Sequence, residues 1–280
     1  MTAGRPEGGA LESHLRLAPS PSLTVPLVVF VHGAADRGAA FVKVARDLPH
    51  TDVVRYDRRG YGRSLGLGVD LARTGAEVLA DSVRDLLAVL DGAQQQRIES
   101  NRSGPVVLVG HSVGGLVALA TAIAAPEQVN AVVAWEPPTP WQSWWSRGRG
   151  SESSQVDDNR ERRGAEVMEA FLRQRLGDEH WDQLGEGRRR TRQAEGMALV
   201  DDIAAAKAGG DLRLGVLRLP VTLGVGTLTD QRHQRAVEEL AEVIPAARVA
   251  TVDGAAHDAH MTHPAAFAAV VSGCVGSIAP

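Results

Sequence analysis

Cysteine is nearly absent: Cys274 is the only one in 280 residues. No intrachain disulfide can form, so nothing in the chain points to an oxidising compartment. Lysine is almost as scarce. Lys43 and Lys207 are the only two, and arginine carries the rest of the positive charge, a bias read as genome composition rather than function. The formal net charge of −4 offers no electrostatic footprint for nucleic acid, which is excluded as an expected partner. Aromatic residues make up only 4%, so a core has to be built from Val, Leu and Ala. No apolar run approaches the roughly 18 residues of a membrane span, and no membrane contact is expected. Residues 1–10 contain Gly and Pro without an apolar signal core and are expected to be disordered. A cytoplasmic protein is the resulting expectation. There is no internal repeat, and the sequence does not speak to oligomeric state.

What the chain does contain is a series of short apolar runs. Val25–Val31, Asp52–Tyr56, Val106–Val109, Val129–Trp135, Leu219–Gly226 and Arg248–Val252 read as strands, several without polar alternation, as expected of strands buried on both faces. Leu11–Leu17 reads as an edge strand. Helical spacing occupies the intervals: Phe41–Leu48, a segment from the Thr74/Glu77 capping box to about Asp91, Leu116–Ala125, about 230–243, and a closing helix with Pro264 in its first turn. Gln94–Gly104 reads as a polar connection. Alternating strands and helices predict an α/β fold, a mostly parallel sheet with helices on both faces. The pattern breaks at 137–215, a helical insertion with helices expected near 162–176, 178–184 and 189–208 and a mobile stretch over 147–163. The chain is thus divided into a core of 1–136 and 216–280 and an insertion of 137–215.

The stretch Val106–Gly115 carries the clearest chemistry. An apolar strand runs into Gly110-His111-Ser112-Val113-Gly114, and a helix follows. Small residues two positions either side of the serine are what a nucleophile elbow needs, because strand and helix pass too closely for a Cβ. The amide of Val113, at the helix N-terminus, is left to stabilise an oxyanion. Ala34, Glu136, Thr229/Asp230 and His257 also fall just after strands, so all five groups are expected at one edge of the sheet.

Together His32-Gly33-Ala34, Tyr56–Ser64, Gly110–Gly114 and Gly254-Ala255-Ala256-His257 make the chain resemble the α/β-hydrolase superfamily. The resemblance covers roughly 20–137 and 215–280. It implies Ser112 as nucleophile, His257 as base, and the amides of Ala34 and Val113 as oxyanion donors. The acid is less direct. The superfamily's usual Gly-x-x-Asp count from Gly226 lands on Thr229, with Asp230 one residue late and well placed as a helix N-cap. Glu136, at a strand end before two prolines, resembles the position that haloalkane dehalogenases use. Glu136 is the preferred acid and Asp230 the alternative.

Other features weigh less. A metal reading of His257, His260 and His263 is set aside because a loop fixes no ligand geometry, and no metal or cofactor is implied. His32 and His111 read as framing residues. The Asp57–Ser64 loop reads as structural, with arginine–aspartate pairing. Trp141, Trp144 and Trp145 either line an entrance or pack the insertion onto the core. Arg188, Arg189, Arg190 and Arg192 read as a solvated helix face, or more weakly as recognition of an acidic group. The expected function is a serine hydrolase cleaving a carboxylic ester, thioester or lactone of a small molecule through an acyl-enzyme. A cofactor-free perhydrolase or acyltransferase with the same triad, and a non-catalytic ligand-binding protein on this fold, are the alternatives.

Overall fold

The computed structural model describes residues 11–20, 22–67, 73–145 and 160–278. The expectations for 1–10 and 147–159 lie outside these residues, whereas 160–163 are helical. In chain order the elements are β1 (Ser13–Arg16), β2 (Leu27–Val31), α1 (Val42–Arg46), β3 (Asp52–Tyr56), α2 (Gly75–Glu99), β4 (Val106–His111), α3 (Val113–Ala124) and β5 (Ala131–Trp135). There follow α4 (Arg160–Leu176), α5 (Asp178–Gln183), α6 (Glu186–Gln193), α7 (Gly196–Ala208), β6 (Val221–Gly226), α8 (Gln231–Val243), β7 (Ala247–Val252), α9 (Ala259–Thr262) and α10 (Pro264–Gly276).

The strands form one sheet in the order β1-β3-β2-β4-β5-β6-β7. Only β1 runs antiparallel, against β3. Every residue of β2, β4 and β5 is buried, which is why these strands read as unbroken apolar runs. Successive side chains divide between two cores. Leu27, Val29, Leu108 and Val132 pack with Leu86 and Leu90 of α2, Val117 of α3 and Leu240 of α8. Val28, Phe30, Val107 and Val133 pack on the other face with Val44 of α1 and Phe267, Val271 and Cys274 of α10. A parallel sheet covered on both faces presents the carboxyl ends of its strands as the one edge where loops gather.

The α2 helix starts at the expected capping box, with Thr74 Oγ1 accepting from Glu77 N and the Glu77 carboxylate from Thr74 N. It runs on to Glu99 rather than ending near Asp91, so 94–99 is helical and not a polar connection. The reason is Arg97, fully buried, whose Nε donates to Asp52 Oδ2 at 2.9 Å and whose Nη2 donates to Ser103 O at 2.8 Å. An arginine on the inner face of a helix reads as polar in sequence, but here it extends the buried stripe.

Helices α4–α7 all lie between β5 and β6, where the insertion was expected. Buried polar contacts tie them to the core loops. Arg58 makes a two-pronged pair with Asp202 of α7 at 2.6 and 3.1 Å, and Tyr61 Oη donates to the same carboxylate at 2.7 Å. Glu195 accepts from Arg37 Nε and Gly62 N, each at 2.8 Å. The 57–64 loop therefore has the structural part expected of it. Its arginines, however, pair outside the loop, Arg58 with Asp202 and Arg59 with Asp85.

Candidate active site

Ser112 sits between β4 and α3 at φ 54°, ψ −125°, a region sparsely populated by residues with a side chain. Its amide donates to Trp135 O at 2.8 Å, and its carbonyl accepts from Gly115 N at 2.8 Å. A Cβ on Gly110 would collide with Gly114 O, and one on Gly114 with Val31 O. Both glycines are therefore sterically required, as the elbow spacing predicts. Val113 opens α3, where first-turn amides have no partner within the helix.

The other side of the site comes from the turn after β2. A Cβ on Gly33 would stand 3.1 Å from Ser112 Cβ, so the His32–Ala35 turn passes directly against the serine. Ala34 packs with Val113, Leu116 and Trp141. Ala35 takes φ 52° and donates its amide to Tyr61 Oη at 3.3 Å. His32 accepts from Arg58 N at 2.9 Å, which binds this turn to the next loop. Burial, reinforced by the Arg58 charge, lowers the His32 pKa to about 4, so the ring is neutral and frames the site.

Glu136 is completely buried at the end of β5, at φ 44°. Its Oε2 meets His257 Nδ1 at 2.8 Å and accepts from Thr229 Oγ1 at 2.7 Å, while Oε1 accepts from Gly226 N at 2.9 Å. Three hydrogen-bond partners thus converge on a carboxylate shielded from water, an arrangement that fixes the position of the carboxylate and of the imidazole it faces. Thr229, the residue on which the Gly-x-x-Asp count lands, thus holds a carboxylate supplied from the end of the neighbouring strand. Asp230 is half exposed and caps α8 through His233 N. Its carboxyl also meets His233 Nδ1 at 3.0 Å and Arg232 at 2.8 Å. Partial burial opposes its ionisation, but the Arg232 hydrogen bond and the His233 charge outweigh that and hold its pKa below the usual carboxylate range. The structure brings Glu136 to His257 and Asp230 to His233.

His257 is also fixed by its backbone. Its carbonyl lies 3.0 Å from the Trp135 Nε1 donor and 3.1 Å from His111 Nε2. The His111 bond requires a proton on Nε2 and leaves Nδ1 bare; burial, with His260, His257 and Arg175 nearby, holds this ring neutral. The three downstream histidines part company. His257 faces Glu136, His260 Nε2 faces Asp36 at 3.1 Å, and His263 Nδ1 faces Thr262 Oγ1 at 2.9 Å.

The insertion reaches this edge through arginines. Arg175 of α4 is ion-paired with Asp258, the residue after His257, and its Nη1 lies 3.4 Å from Ala34 O. Arg192 is not a solvated residue as expected: its Nη2 donates to Ala35 O at 2.7 Å and its Nη1 to Glu195 at 2.9 Å. Arg188 and Arg190 are exposed. Trp141 lies against the backbone of Gly209–Gly210, whereas Trp145 meets the His233 ring edge-on at 5.2 Å and Trp144 lies under Arg235. Sequence reasoning missed His233, Arg175 and Asp258, and placed Thr229 at this edge without its hydrogen bond to Glu136. Only Thr229 left a signal, as the misfit in the glycine count.

The profile of the alpha/beta hydrolase family matches residues 28–270. The chain belongs to the alpha/beta hydrolase family. Its relatives include Lipase LipV of Mycobacterium tuberculosis, 34% identical over 110 residues that make up 39% of this chain and 36% of that protein. A putative 2-succinyl-6-hydroxy-2,4-cyclohexadiene-1-carboxylate synthase of Bacillus subtilis is 24% identical over 90% of each chain. A putative carbamate hydrolase RutD of Rhizobium rhizogenes is 29% identical over 77% of this chain and 79% of its own. Among solved structures, an enol-lactonase from Burkholderia xenovorans superposes with TM-score 0.65 at 19% identity over 95% and 97% of the two chains. An alpha/beta hydrolase from Sphaerobacter thermophilus does so with TM-score 0.65 at 22% identity over 94% and 95%. At such identities the superpositions establish the fold. No helix among the described residues is long and apolar enough to cross a membrane.

Proposed function

We propose that this chain is a serine hydrolase that cleaves a carboxylic ester of a small molecule, with thioesters and lactones in the same reaction class. Ser112 Oγ attacks the acyl carbon while His257 takes its proton, and the Val113 and Ala34 amides stabilise the oxyanion. His257 then protonates the leaving group, and water repeats the sequence on the acyl-enzyme. Glu136 holds the Nδ1–H tautomer and offsets the charge of the imidazolium. Residues 137–215 act as a cap over this edge. The observation that carries the reading is the 2.8 Å contact between a fully buried Glu136 and His257, beside a serine held in a strained elbow. The relatives, among them a lipase and a putative carbamate hydrolase, support acyl-type substrates. The test is a panel of p-nitrophenyl esters and a carbamate of graded acyl length, alongside a fluorophosphonate probe. Ser112→Ala is expected to lose both turnover and labelling. Wild-type protein that takes up no probe on Ser112 and turns over none of the panel defeats the proposal.

A further inference from the structure

Next to the proposed triad stands a second carboxylate–histidine pair. His233 of α8 is mostly buried, and its ring lies 4.4 Å from that of His257, centroid to centroid. Its Nδ1 meets Asp230 Oδ1 at 3.0 Å. A neutral imidazole that donates to a carboxylate through Nδ1 leaves Nε2 as a bare lone pair, the tautomer in which metal-binding histidines are held by a carboxylate behind them. One donor atom each from Glu136, His233 and His257 lies within 4.8 Å of the other two. Two imidazoles and a carboxylate suit zinc and its late first-row neighbours rather than magnesium or calcium, which prefer all-oxygen surroundings. His257 is only partly buried, with 28% of its side chain exposed, so the cluster opens toward solvent.

We infer that Glu136, His233 and His257 form an inhibitory site for a zinc-like divalent ion. Either ring nitrogen of His257 can serve as ligand, and either choice removes the base. A metal on Nε2 occupies the lone pair that would take the serine proton. A metal on Nδ1 displaces the proton shared with Glu136 and confines the ring proton to Nε2, with the same result. His233 is what distinguishes this from an ordinary triad, because without it the ion has only a histidine–carboxylate pair whose members already bind each other. The inhibition, though not the binding, rests on the serine-hydrolase reading above.

Zn²⁺ is titrated into the purified protein by calorimetry and, separately, into the ester assay, with His233→Ala in parallel. The wild type is expected to bind Zn²⁺ and lose activity, to recover it with a chelator, and to ignore Mg²⁺. The variant is expected to need about tenfold or more Zn²⁺ for both binding and inhibition, the usual scale for loss of a group that shapes a metal site. Because the hydrogen bonds of His233 run to Asp230, the variant should keep its metal-free esterase activity. Absence of Zn²⁺ binding in the wild type overturns the inference. So does a variant whose Zn²⁺ response is unchanged, since the ion would then sit elsewhere, for instance at the buried Asp36, His111 and His260. Fluorophosphonate labelling of metal-free protein separates the two readings. Labelled enzyme indifferent to Zn²⁺ removes only the metal site, whereas protein that neither labels nor turns over removes the hydrolase reading and leaves calorimetry to decide the site.

Discussion

Two carboxylates one strand apart are given different tasks by their surroundings. Glu136 is sealed from water and offers its oxygens to Gly226, Thr229 and His257. Asp230 is half exposed and serves a helix cap. Changing Glu136 to Gln should reverse the hydrogen bond to His257 and lower kcat/KM on a p-nitrophenyl ester by on the order of 10⁴-fold, as loss of a triad acid does. Changing Asp230 to Asn should leave turnover within about threefold, because Asn caps a helix as well as Asp. The reverse pattern would move the acid to Asp230. The histidines that frame the site make a second prediction. His32 stays neutral in the folded chain down to about pH 4, because burial and Arg58 oppose its charging. In the unfolded chain it takes a proton near pH 6.5. Between those limits the unfolded state binds more protons, so folding stability is complete above pH 6.5 and falls as the pH drops toward 4, by up to roughly 3 kcal/mol from this residue. His111, whose pKa is also lowered by burial, adds to the loss. Urea unfolding at pH 7 and pH 4.5 should show a shallower decline for His32→Gln than for wild type. Equal declines would mean that His32 does not drive it.

At the scale of the elements, the same physics explains what could be read in advance. Strands β2, β4 and β5 were legible because a strand buried on both faces has no polar positions. The start of α2 was legible because its capping box is local. Its end was not, because Arg97 is judged polar until its partner Asp52 is known, and Asp52 arrives from a distant part of the chain. The elbow at Ser112 was visible because its Gly-x-Ser-x-Gly spacing is local, although one of its glycines, Gly114, is pressed against Val31 O of β2. The parts of His233 and Arg175 were invisible because each acts across elements, and Thr229 showed only as the residue on which the glycine count lands. Arg97→Met should therefore cost far more than a surface change, about 3–5 kcal/mol, as it leaves the Asp52 carboxylate buried with fewer partners. The urea midpoint checks this, and a loss below 1 kcal/mol would mean that Arg102, which also reaches Asp52 at 2.7 Å, neutralises it alone.

Across the whole molecule, the α4–α7 segment is joined to the core loops both by polar contacts at several points and by apolar packing of Met168, Leu172, Ala198 and Leu199 with Ala35 and Tyr61. Arg58–Asp202, Arg37–Glu195, Arg175–Asp258 and Arg192 on the Ala35 carbonyl each join it to a loop that follows β2, β3 or β7. Asp202→Asn should leave the buried Arg58 charge uncompensated, loosening α4 and α7 by about 3–5 kcal/mol while β4 and β5 keep their protection. Hydrogen exchange resolved by peptide would show faster exchange over 160–208 alone, and uniform change across the chain would contradict the assignment. The positive φ of Glu136 has a mechanical meaning in this setting. It occupies the last residue of the core before two prolines carry the chain into the insertion, so any pull on the insertion is applied at the carboxylate that grips His257. A chimera that exchanges the insertion for another would therefore place its junction after Pro138, because a junction three residues earlier would replace Glu136 itself.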